Sequence, residues 1–103
     1  MAAPTTVTQR LDALLQAVRA EVDDLPSWEH AWPTLTDAEQ ASWSLNWDHV
    51  MATYLIDLDG AYRTGTMTND QQARYRAMLD QLSQLLPLIE RLDLYRPPVS
   101  LTP

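Results

Sequence analysis

Large apolar residues recur every three or four positions through most of this chain, and that spacing constrains the fold more than any other feature. Val7, Leu11, Leu14, Leu15, Val18, Val22 and Leu25 come first. At about 100° per residue they lie within roughly 60° either side of one line along a helix. Thr6 or Thr8 can cap its start, and Pro26 is expected to end it, which predicts a first helix over residues 7–24. A connection over 26–35 holds Pro26 and Pro33. Thr36-Asp37-Ala38-Glu39 then reads as a capping box, in which hydroxyl and carboxylate each satisfy an orphan amide. It opens a second helix over 37–64, stopped by Gly65 in the left-handed conformation. Gly60 inside it costs about 1 kcal/mol relative to alanine, so it marks either a close backbone approach or an earlier stop.

A second box, Thr68-Asn69-Asp70-Gln71, opens a third helix over 69–94. Its stripe is Tyr75, Met78, Leu79, Leu82, Leu85, Leu86 and Ile89, interrupted by Pro87, where a kink or a break is expected. Residues 1–5 form an N-terminal extension, and 95–103 form an extended, proline-rich tail that either straps across the bundle through Val99 and Leu101 or stays disordered. The fold class is all-α: a small single-domain bundle of three long helices.

The second helix differs from its neighbours. Trp43, Trp47, Val50, Met51, Tyr54, Leu58, Ala61 and Tyr62 share a broad core-like face, while Asp48, Asp57 and Asp59 sit on the flanks. Opposite the core face, Ala38, Ala41, Leu45, His49, Ala52 and Ile56 line up within about 40° of Leu45, where a surface helix is ordinarily polar. Two arrangements satisfy this. The first and third helices cover opposite faces of the second, or the bundle forms on the aromatic face and the small-residue face meets another chain. The alanines favour the latter.

Composition excludes several functions. A chain of 103 residues is one domain, and the absence of cysteine removes disulfides and thiolate metal sites. The start, MAAPTTVTQR, lacks the basic and apolar runs of a signal peptide, and no stretch approaches the ~18 apolar residues of a membrane span, so the expectation is a cytoplasmic protein. The formal charge is −7, and all seven basic residues are arginine, which fits a GC-rich bacterial genome. An acidic chain without a basic footprint is not expected to bind nucleic acid or an anionic membrane surface.

All four tryptophans and both histidines fall between residues 27 and 50, where Trp28-Glu29-His30 is echoed by Trp47-Asp48-His49. Trp43 and Trp47 are neighbours on one helical face, and Trp28 and Trp32 lie in the connection that can fold over it. With no phenylalanine in the chain, Trp28, Trp32, Trp43, Trp47 and Tyr54 are expected to form an aromatic core cluster. A partner surface and a cage for a cationic ligand are the weaker readings. Glu29, His30, Asp48 and His49 are metal-ligand types, but no His-x-x-x-His or Glu-x-x-His spacing exists, and Asp48 and His49 diverge by about 100° on a helix. Asp57-Leu58-Asp59-Gly60 fails as a calcium loop, since Ala61 and Thr68 stand where oxygen ligands belong. Neither a Gly-x-Ser-x-Gly elbow nor a glycine-rich phosphate loop is present. Arg63, Arg74 and Arg76 bracket the turn into the third helix and are candidate anion contacts, or partners of nearby aspartates.

The expectation is therefore a non-catalytic interaction or assembly module without a cofactor or metal. It self-associates as a homo-oligomer or binds a protein partner through Ala38, Ala41, Leu45, His49, Ala52 and Ile56. The alternatives are an acidic, antitoxin-like regulator of a basic partner, and a helical protein that binds a small ligand or metal.

Overall fold

The computed structural model describes residues 6–102. Four α-helices, α1 (Thr6–Ala31), α2 (Asp37–His49), α3 (Ile56–Arg63) and α4 (Asn69–Arg91), are joined by a 3₁₀ turn at Trp32–Thr34 and a π-helical turn at Val50–Leu55. Because α2, the π turn and α3 follow one another without a gap, they form a single rod. The bundle is three rods, all-α, as the periodicity predicts, and its extents are 51 × 24 × 19 Å. The expected N-terminal extension, residues 1–5, and Pro103 lie outside the described residues.

α1 does not stop at Pro26; it runs on to Ala31. A proline inside a helix removes one backbone hydrogen bond and costs about 3 kcal/mol. The Pro26 ring is exposed, and what lies beyond it offsets the cost. Val18, Val22 and Leu25 are fully buried, and the same three-or-four spacing continues through Trp28 to Trp32. Both indoles reach Trp43 on α2, at ring-centroid distances of 5.1 and 5.9 Å. Ending the helix at residue 24 would give up this packing.

The second rod starts as expected: Thr36 Oγ1 accepts from the Glu39 amide at 3.1 Å, and Glu39 Oε1 accepts from the Thr36 amide at 3.0 Å. Its middle departs from a regular helix. In the π turn the bonds reach one residue further, so everything downstream is rotated by about one residue, roughly 100°. An uninterrupted helix would put Tyr54 about 20° and Leu55 about 80° from the Trp47 line. With the extra residue Leu55 takes the central place and is fully buried, while Tyr54 is only half-buried. Asp59, expected on a flank, is turned inward: its side chain is 16% exposed and its Oδ1 accepts from the buried Tyr75 hydroxyl at 2.9 Å. That hydrogen bond and the burial of the ring raise the Tyr75 hydroxyl far above its ordinary pKa, burial having the larger effect. Gly60 has no atom within 4 Å of where a Cβ would stand, and the helix continues past it, so neither expected role applies. The rod ends at Arg63, with Gly65 at φ +73° closing the turn as predicted.

α4 opens with the predicted box, Thr68 and Gln71 exchanging bonds of 3.0 and 3.1 Å. Gln71 is also 1% exposed and ties α4 to α1, its Nε2 donating to the Thr8 carbonyl at 3.0 Å and to Asp12 Oδ1 at 2.9 Å. The helix passes Pro87 without a break and ends at Arg91 rather than 94, its ring exposed while Leu88 and Ile89 are buried. Asp93 at φ 56° turns the chain, and the tail then crosses the bundle as a strap. Leu94 and Pro97 are buried, Val99 and Leu101 pack against the core, and the Tyr95 carbonyl accepts from the Trp47 indole at 2.8 Å.

Candidate functional site

The outer side of the second rod is open. Ala38, Ala41, Leu45, His49, Ala52 and Ile56 are all exposed, Leu45 by 70% and Ile56 by 43%. Of the two arrangements, this chain folds with the bundle on the aromatic face alone. The six residues do not form one straight stripe, however. The π turn rotates Ile56 by about 100°, to about 80° from the line through Leu45. Ala38, Ala41, Leu45 and His49 therefore make one patch on α2, and Ala52 and Ile56 lead into a second. The same turn brings His49 and Tyr54, five residues apart, into an edge contact at 5.2 Å. Tyr54 thus pairs with His49 rather than with the indoles.

The four tryptophans form a continuous wall behind this face. Trp43 lies at its centre, tilted against Trp28, edge-on to Trp32 and stacked on Trp47 at 5.7 Å. Trp47 is fully buried, whereas Trp28, Trp32 and Trp43 are half-buried and reach the surface. They do so in two grooves flanking α2. One, toward α1, is lined by Trp28, Leu35, Trp43, Ser42, Asn46 and the carboxylates Glu21 and Glu39. The other, toward the end of α4, is lined by Trp32, Asp37, Gln40, Ala41, Ser44 and residues 91–93.

The charges of the two grooves differ. In the second, Arg91 lies 3.5 Å from Glu29. In the first, Glu21 Oε1 accepts from Asn46 Nδ2 at 2.5 Å, while Oε2 is shielded from solvent without a hydrogen-bond donor. Burial raises the Glu21 carboxyl above the usual glutamate range; the Asn46 bond opposes this and the Asp24 carboxylate adds to it. Glu39, bonded to the Thr36 backbone and hydroxyl, is lowered. α2 carries Asp37, Glu39 and Asp48 and no arginine.

The candidate anion contacts are engaged within the chain. Arg63 pairs with Asp59 at 2.7 Å, and Arg74 with Asp12 at 2.6 Å and Asp70 at 2.9 Å. Arg76 lies over the Tyr62 ring and donates to its hydroxyl at 3.1 Å. His30 and His49 sit on different rods, and among the described residues no three His, Asp or Glu side chains gather to hold a metal. No helix among them is long and apolar enough to cross a membrane. Sequence reasoning missed Glu21, Leu35, Ser42 and Asn46. Glu21 and Asn46 each look like ordinary surface residues until the two helices are set side by side. No protein-family model matches this chain, and neither the curated proteins nor the solved structures give a significant match.

Proposed function

We propose that this chain is a non-catalytic interaction module that binds a protein partner through the outer face of α2. The observation that carries the reading is the exposure of Leu45, Ala41 and Ala38 together on a helix whose opposite face already fills the core. Small residues around one large apolar side chain let another helix approach closely, and the half-buried indoles beside them are of the type that anchors interfaces. The charged rim selects the partner. Asp37, Glu39 and Asp48 border the patch without an arginine on α2, so a basic helix is accommodated, whereas two copies of this chain would set like charges against each other.

Leu45→Arg tests this by removing the apolar centre and placing a positive charge where a basic partner would lie. Being exposed, it should leave the circular dichroism spectrum and melting temperature unchanged. The expected result is loss of the partner retained by the wild-type chain, together with weaker retention as salt rises. Retention of the same protein by the variant contradicts the reading. Sedimentation at several concentrations separates the competing mode: a mass that doubles with concentration, and stays single in Leu45→Arg, assigns the face to a second copy.

A further inference from the structure

We propose that the groove between α1 and α2 receives a cationic side chain of the partner, a guanidinium or alkylammonium, with Trp28 and Trp43 against its stem and charge and the Glu21 carboxylate accepting its N–H. This rests on the proposed interface on α2, and three observations point to the occupant. Trp28 and Trp43 both line the groove, their rings 5.1 Å apart and inclined by 49°, so they present two aromatic surfaces to one space. Aromatic faces attract cations, most strongly where water is excluded.

The second observation is Glu21 Oε2, shielded from water and without a donor. A carboxylate oxygen in that position has lost its hydration with nothing in return, and an incoming N–H would restore the missing bond. Rotation about the terminal bond of the side chain is soft, so either oxygen can be turned toward the groove.

The third is charge. None of the ion pairs among the described residues involves Glu21, Asp24 or Glu39. Arg10, Arg19, Arg63, Arg74 and Arg91 are paired elsewhere, Arg76 lies over Tyr62, and the seventh arginine, Arg96, is not among the residues that line the groove. The chain has no lysine. The groove is thus acidic and aromatic without an internal cation. Its rim residue Ser42 stands three positions from Leu45, so the groove adjoins the apolar patch on the helix surface. A helix seated on Leu45 can therefore insert a side chain there, which favours a partner's side chain over a free small cation.

The test uses the full chain with three probes: a leucine-striped helical peptide carrying one arginine, the same peptide with neutral, isosteric citrulline, and agmatine. The readouts are binding affinity and the indole Nε1–H resonances of Trp28 and Trp43. The arginine peptide is expected to bind about tenfold more tightly than the citrulline peptide, as a charge-assisted bond in a shielded site implies. It should move both resonances. Glu21→Gln should erase the difference while keeping the Asn46 bond and the fold. Equal affinity of the two peptides, both lost in Leu45→Arg, overturns the groove's role and leaves the interface standing. If neither peptide binds while agmatine moves both resonances, the interface falls and the occupant is a free cation, not a partner's side chain. If no probe binds, both fall.

Discussion

The two ends of the bundle are held together in different ways. At one end the backbone of α1 runs close to α4, the π turn and α3. Polar groups cross-link these elements: Arg10 to Asp57 at 2.7 Å, Arg74 to Asp12, Gln71 to Asp12 and the Thr8 carbonyl, and Tyr75 to Asp59. At the other end α2 makes its close backbone contacts chiefly with the π turn that continues it. Four indoles and the C-terminal strap fill the space there. Large rings keep helices apart, which explains why grooves open beside α2 and why its outer face is free. The close-packed end makes the bundle, and the tryptophan end carries the surface we propose for binding.

Substitutions should sort by this division. Trp47→Ala removes the one fully buried indole and the donor that holds the strap at the Tyr95 carbonyl, and should cost about 3–5 kcal/mol in denaturant unfolding. A loss below about 1 kcal/mol would mean that the rings do not carry this end. At the other end Tyr75→Phe keeps the ring but strips Asp59 of a buried donor, with an expected loss of about 1.5–3 kcal/mol. Gly60→Ala meets open space in an α-helix and should stabilise the chain by about 0.5–1 kcal/mol.

Acidity sharpens the contrast further, with smaller and opposite effects at the two ends. The Gln71 amide, and then Arg74, hold the Asp12 carboxyl below the usual aspartate range. Its contribution to stability is therefore present above about pH 3.9 and is lost as pH falls through the lowered value. Asp12→Asn should flatten the acid limb of a stability–pH curve. Glu21 is raised by burial, so it favours the folded state below the ordinary glutamate pKa of about 4.3 and loses that contribution as pH rises through the raised value. Glu21→Gln should leave neutral-pH stability equal or slightly higher, and thermal melts from pH 3 to 8 would check both signs.

Much of this was legible in the sequence. Both capping boxes and the Gly65 turn are local chemistry: in each box a side chain meets a backbone group three residues away, at the turn glycine takes a positive φ, and each forms as read. The buried stripes of α1 and α4 followed from periodicity, except that Val7, in the first turn of α1, is 51% exposed. What failed depended on distant partners. The rule that proline ends a helix was outweighed at Pro26 because Trp28 and Trp32 find Trp43 on another rod. The π turn has no short-range signature, and from it follow the burial of Leu55, the inward Asp59 and the pairing of Tyr54 with His49. The outer face of α2 was readable as an anomaly, since Leu45 and the alanines broke the expected polar pattern. The groove was not, because Glu21 and Asn46 are 25 positions apart and meet only in the fold.

Because the chain has no cysteine, a single thiol can report on one position at a time. The most direct measurement is the alkylation rate of Leu45→Cys against Leu58→Cys in dilute, monomeric protein. The outer face of α2 being free predicts that position 45 reacts at nearly the rate of an unfolded peptide, while position 58 reacts only through unfolding. Equal protection at both positions would place Leu45 inside the bundle and contradict the account.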